Sequence, residues 1–134
     1  KMNEFEAAMG LCVLDDIKEI KEKRKELLEN YRKELKGLVQ FQKQNENATE
    51  NYSYFPVIFK SEDHLLKVQK ALNEKDIFPR RYFYPSLDTL IYIEPKQECK
   101  ISRDISKKVL CLPIYVELKR DIQNTIIKTI KDNL

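Results

Sequence analysis

Hydrophobic positions recur every three or four residues over much of this chain and alternate only in short stretches between. The first helical run extends from Asn3 to Lys36 and is built mostly of Ala, Leu, Glu, Lys and Arg. Asn3 stands at an N-cap position, and Gly37 stands where a left-handed C-terminal cap belongs. The two halves of this long N-terminal helix differ. In the second half Ile17, Ile20, Leu27 or Leu28, Tyr31 and Leu35 make one apolar stripe on a charged background, the pattern of an amphipathic surface helix. In the first half, Phe5 to Leu14 is apolar around most of the circumference, and Ala7, Ala8 and Gly10 leave room for another backbone. A helix of that kind needs cover on several sides: it reads as a central core helix or, the preferred reading, as a face for a second domain or subunit.

Short β patterns follow. Leu38–Gln42 reads as a strand, Lys43–Asn51 as a polar loop, and Tyr52–Phe59 as a strand rich in aromatic and β-branched residues. Pro56 within it predicts a bulge or an edge position. Ser61 caps a helix from Glu62 to about Lys75, with Leu65, Leu66, Val68, Ala71 and Leu72 on its buried face. Arg80–Pro85, bracketed by Pro79 and Pro85, reads as a further strand. The connection Ser86–Lys100 is irregular, yet Leu87, Leu90, Ile91, Tyr92 and Ile93 are too apolar for a free loop and must pack on something. Ser102 is read as the cap of a short helix to about Leu110, Cys111–Val116 as a strand or extended segment, and Lys119–Asn133 as a last helix with Ile122, Ile126, Ile127 and Ile130 on one face. The order predicts one α+β domain over residues 1–134: a small, mostly antiparallel sheet covered by helices on one side.

Composition narrows the function classes. A chain of 134 residues with 42% hydrophobic content is large enough for one buried core. Its 25 basic and 22 acidic residues nearly balance, which argues against nucleic acid or a membrane surface as partner. No apolar run approaches the ~20 residues of a membrane span, and no signal peptide is expected before the first helix. A chain that opens on its most apolar helix is expected to be part of something larger. Cys12, Cys99 and Cys111 form no CxxC pair and read as reduced, buried thiols of a cytoplasmic protein, which leaves the sequons at Asn47 and Asn51 without meaning. His64, the single histidine, has no ligand cluster around it and reads as a surface residue, so no metal site is predicted. Two glycines, Gly10 and Gly37, exclude a glycine-rich phosphate loop, and no nucleophile–base pattern stands out, so no catalytic residue is assigned.

One stretch concentrates contact chemistry. In Arg80-Arg81-Tyr82-Phe83-Tyr84-Pro85, strand alternation would put Arg81, Phe83 and Pro85 on one face and Arg80, Tyr82 and Tyr84 on the other. It reads either as a half-buried edge strand or as the lip of a binding site, with arginine for phosphate or carboxylate and tyrosine hydroxyls for polar groups. The residues alone also leave open a freestanding module that binds a small anion or nucleic acid through this strand.

Four blocks, in order, resemble the DegT/StrS sugar-nucleotide aminotransferases. Lys1-Met2-Asn3-Glu4-Phe5-Glu6-Ala7-Ala8-Met9-Gly10-Leu11 resembles the signature N-[YG]-[RK]-M-[SN]-E-x-x-A-A-x-G-L, and Asn51–Val57 resembles a small-domain strand of members acting on nucleoside-diphosphate 6-deoxy-keto sugars. Arg80–Leu87 is similar to R-x-[HY]-[FY]-x-P-L, and Val109–Tyr115 to V-L-[SC]-L-P-[LI]-[YH]. The resemblance implies the C-terminal small domain of a type I aminotransferase. It further implies pyridoxal-phosphate-dependent transfer of an amino group from glutamate to a nucleotide-linked keto sugar, in lipopolysaccharide or O-antigen biosynthesis, by a homodimer with shared active sites. It implies Arg80, Tyr82 and Tyr84 as substrate contacts, and the Phe5–Leu14 helix packed on a large domain and a dimer mate. By the same resemblance the large domain, with its Schiff-base lysine and cofactor aspartate, lies outside these residues, so this stretch alone is expected to be inactive. Lys1 then stands beside the signature asparagine that reaches the neighbouring subunit's cofactor phosphate, and is not the Schiff-base lysine.

Overall fold

The computed structural model describes residues 1–134. Its elements run α1 (Glu4–Asp15), α2 (Ile17–Glu34), β1 (Gln40–Phe41), β2 (Phe55–Ile58), α3 (Glu62–Asn73), a 3₁₀ turn at Leu87–Thr89, α4 (Lys100–Lys108), β3 (Val109–Leu112) and α5 (Arg120–Asp132). The three strands form one antiparallel sheet in the order β1-β2-β3, confirming the α+β architecture. Phe55 pairs with Leu112 and Val57 with Leu110, so these four share one face. That face is covered by Leu28, Tyr31 and Leu35 of the α2 segment, Leu65, Val68 and Leu72 of α3, and Ile126, Ile127 and Ile130 of α5. Tyr31 stacks on Phe55 with ring centroids 5.4 Å apart, and its hydroxyl donates to the Pro113 carbonyl at 3.2 Å. Burial raises the pKa of that hydroxyl, keeping it a donor.

Several expectations are corrected. The N-terminal helix is two helices, broken at Asp16, where two consecutive aspartates fall in a last turn without a basic residue to offset the helix dipole. The capping role of Asn3 holds: it accepts from the Glu6 N–H while Glu6 returns a bond to the Asn3 N–H, both 2.9 Å. Gly37 is left-handed at φ +79°, two residues beyond the Leu35 cap. Pro56 lies in the central strand, without a bulge. Its partner Cys111 donates outward to the Arg80 carbonyl at 2.8 Å, so the Pro56–Cys111 pair exchanges no hydrogen bond. Proline therefore faces the β1 side, where β1 has already ended opposite Val57. Leu66 and Ile122 are exposed, and Cys12 and Cys99 are exposed while Cys111 alone is buried.

The space predicted for Ile122 goes to a polar residue. Gln123 is fully buried; its Nε2 donates to the Leu27 carbonyl at 2.7 Å, and its Oε1 accepts from Asn30 at 2.9 Å and Arg120 at 3.3 Å. This amide ties α5 to α2.

The Ser86–Lys100 connection is organised by a carboxylate rather than by apolar packing. Leu87, Ile91, Tyr92 and Ile93 stay exposed. Asp88 accepts from the Cys99 N–H at 2.9 Å, from the Ser86 hydroxyl, and from Arg103 Nε at 2.6 Å. Ser102, expected to cap α4, lies within it, and its hydroxyl meets that of the buried Ser86 at 2.7 Å.

Two outcomes follow from these contacts. Gln123→Ala should cost about 2–3 kcal/mol in denaturant unfolding, through a cavity plus lost hydrogen bonds, and Gln123→Leu about 1 kcal/mol or less, since Asn30 and Arg120 reach water. Equal losses would remove the amide from this role. The Cys99 N–H, and behind it Ser86 and Arg103, hold the Asp88 carboxyl down to about 2, so its contribution to folding is complete above about 4 and is lost as pH falls from there towards 2. The Cys99 amide shift in an NMR titration should move with a midpoint near 2 and stay still in Asp88→Asn; a midpoint near 4 would contradict the contact network.

Candidate ligand-binding wall

Arg80–Pro85 is not a strand. Arg80 alone bridges to the outer edge of β3, opposite Cys111. Continuing that register would pair Tyr82 with Val109 and Tyr84 with Lys107, and Lys107 is already inside α4. The aromatic residues have strand propensity, but propensity measures fit to a pleated neighbour, and here the neighbour turns into a helix. The chain therefore leaves the sheet after one bond and forms an irregular loop.

The predicted face of Arg80, Tyr82 and Tyr84 dissolves with the strand, and the two arginines take different environments. Arg81 is covered, with 15% of its side chain exposed. Its guanidinium pairs with Glu62 at 3.0 Å, donates to the Lys107 carbonyl at 3.0 Å, and lies 3.7 Å over the Tyr84 ring. Its Nε is buried and unpartnered. Arg80 is exposed and its side chain makes no ion pair, leaving its charge free. Tyr82 packs edge-on against Tyr54 at 5.6 Å between centroids and tilts onto Phe83 at 5.1 Å. Tyr54, Phe83 and Tyr84 are 64%, 71% and 48% exposed. The result is a projecting aromatic wall with one free cation at its start. Behind Tyr82, burial pushes the Cys111 thiol up, opposed by the Tyr82 backbone N–H.

Beside the wall, and sharing Tyr54 with it, opens a cavity of about 260 Å³ with Leu28, Phe41 and Phe55 among its apolar lining residues. Arg32 and Glu50 pair across it at 3.3 Å. Tyr54 was not singled out by the sequence reasoning; its only signal there was an aromatic position at the head of a strand. Asp88 was missed too, although an aspartate two residues after a serine in an apolar connection is a turn signal.

The remaining predicted positions lie apart. Lys1 is exposed and makes no hydrogen bond. His64 sits in the first turn of α3, where its backbone N–H donates to the Ser61 hydroxyl at 3.2 Å. No group of three or more His, Cys, Asp or Glu is arranged to hold a metal ion. No helix is long and apolar enough to cross a membrane. α1 has no buried residue: Phe5, Met9, Leu11, Val13 and Leu14 all stand exposed, and a Cβ at Gly10 would meet nothing within 4 Å.

Comparison with known proteins places the chain by family and fold. The chain is 34% identical over 139 residues to a dTDP-4-amino-4,6-dideoxy-D-glucose transaminase of Shigella dysenteriae, a match covering 98% of the chain and 38% of that relative. It thus spans well under half the length of the curated relatives it matches. Among solved structures it superposes on the aminotransferase TlmJ of Streptoalloteichus hindustanus with a TM-score of 0.85 at 17% identity, over 95% of the chain and 35% of TlmJ. It also superposes on DesV of S. venezuelae, solved with a ketimine intermediate, with a TM-score of 0.86 at 17% identity over 98% of the chain and 36% of DesV. The model of the DegT/DnrJ/EryC1/StrS aminotransferase family matches residues 1–131, and this chain belongs to that family.

Proposed function

We propose that this chain is the small-domain part of a pyridoxal-phosphate-dependent aminotransferase that moves an amino group from glutamate to a nucleoside-diphosphate keto sugar, in the cytoplasm. The observation that carries the reading is the exposed wall of Tyr54, Tyr82 and Phe83 with the unpaired Arg80 beside it, in a chain of this family. Arg80 offers a free guanidinium to a diphosphate, and the tyrosine hydroxyls offer hydrogen bonds to sugar oxygens. Tyr84, stacked under Arg81 and half exposed, is a further candidate contact for the same ligand.

The residues of this chain do not by themselves fit the cofactor, which when bound supplies the group that carries the amino nitrogen between donor and acceptor. Lys1 faces solvent, and the lysines in the open groove between α2 and α5 do not close a site, Lys131 being paired with Glu34 at 2.8 Å. The Schiff-base lysine and phosphate contacts are therefore assigned to a large domain elsewhere in the intact polypeptide. α1 supports the same reading. A mid-helix glycine costs roughly 1 kcal/mol relative to alanine, and nothing in the chain approaches Gly10 to offset that cost. Cover by a large domain and a dimer mate supplies the missing contacts.

In the intact polypeptide, Arg80→Ala, Tyr82→Phe and Tyr84→Phe should each lower kcat/KM for amino transfer to the keto sugar about tenfold, or about 1.4 kcal/mol. Unchanged affinity and turnover in all three would remove the wall from the substrate site. Leu11→Glu with Leu14→Glu should convert the dimer to monomer in sedimentation, or expose the large domain to limited proteolysis. An unaltered dimer with an unaltered cleavage pattern would exclude α1 from both contacts.

A further inference from the structure

The segment carrying the aromatic wall is strung between the two ends of one helix. At its start, Arg81 binds the Lys107 carbonyl in the last turn of α4. At its finish, Asp88 binds the Cys99 N–H at the N-cap of α4 together with Arg103 in its first turns, and Ser86 binds Ser102. Seven helical residues separate Cys99 from Lys107, about 12 Å of helix. Each charge has the sign that its end of the helix favours, a cation at the carbonyl end and a carboxylate at the amide end. Each also satisfies backbone groups that a short helix leaves unpaired. Arg81 adds a hold on Glu62 at the start of α3 and a stack on Tyr84, and Tyr84 lies within the suspended segment.

We infer that Arg81 and Asp88 are a pair of positioning residues that hold Tyr82–Pro85 in its ligand-ready shape by clamping it to opposite ends of α4, and that Arg81 is not itself a ligand contact. The inference rests on the wall being the substrate surface. It separates two neighbouring arginines that composition treats alike: Arg80 meets the ligand, and Arg81 shapes what the ligand meets. Lysine at 81 would keep the charge at the end of α4 but lack the planar fork needed to pair with Glu62 and stack on Tyr84 together.

The test uses the intact polypeptide labelled with 3-fluorotyrosine, with Tyr82 and Tyr84 assigned by Tyr→Phe variants, and thymidine diphosphate as the probe in calorimetry. In Arg81→Met and Asp88→Asn the fluorine resonances of Tyr82 and Tyr84 should both collapse towards the free amino-acid position, and the Kd for thymidine diphosphate should rise about tenfold. Arg81→Lys should restore the melting temperature of Arg81→Met without restoring the affinity, a split that a purely structural role would not give. Resonances of Tyr82 and Tyr84 that stay in place in both variants would overturn the clamp whatever the probe does. Resonances that collapse while thymidine diphosphate binds unchanged would uphold the clamp and sink the substrate-wall reading beneath it.

Discussion

The structure depends on four consecutive buried residues, Val109 to Leu112, that enter the sheet directly from α4 with no loop between. Leu110 and Leu112 meet Phe55 and Val57 on the face that α2, α3 and α5 cover. The opposite side chains, Val109 and Cys111, are buried as well. A strand covered on both faces needs partners for its backbone groups on both edges. β2 supplies one edge, and on the other the Cys111 N–H finds only the carbonyl of Arg80. That single bond fixes where the aromatic segment begins, and the junction of α4 with β3 fixes that it cannot continue as a strand. A rule of core packing thereby produces an irregular, projecting loop.

What was legible in the sequence was whatever depends on local pattern. The faces of α2, α3 and α5, the caps at Asn3 and Ser61 and the turn at Gly37 follow from periodicity and short-range hydrogen bonding. What was not legible depends on partners distant in sequence. Gln123 lies one position from Ile122, and no periodicity distinguishes an amide that will find the Leu27 carbonyl 96 residues away from one facing water. Ser102 has the chemistry of a cap but serves Ser86. Arg80–Pro85 has the composition of a strand, and only the register with β3 shows that its partner would be a helix. The family resemblance was carried by blocks of residues whose spacing survives all of these local errors, and so it identified the fold better than element-by-element reading did.

Electrostatics divides the site in the same way. The chain is close to neutral overall, yet its charges are used unevenly: Arg81 is held by Glu62 and the Lys107 carbonyl, Asp88 by the Cys99 N–H and Arg103, and Arg80 is left outside any pair. A near-zero sum conceals an unpaired, exposed arginine at the head of a loop of exposed aromatic residues, a feature invisible to net charge.

The capping box of α1 has a consequence of a different kind. Twelve residues with no buried side chain have only that reciprocal Asn3–Glu6 pair and the helical ladder to hold them, and helices of such length are marginal in water. No side-chain hydrogen bond or ion pair ties α1 to the core that begins at Leu27, so its helicity rests on its own helix–coil balance. Any surface that receives α1 must recruit the helical fraction, so that fraction multiplies the association constant directly. Gly10, which touches nothing in this chain, thereby acts on an equilibrium outside it: it sets how much of α1 is already shaped for docking.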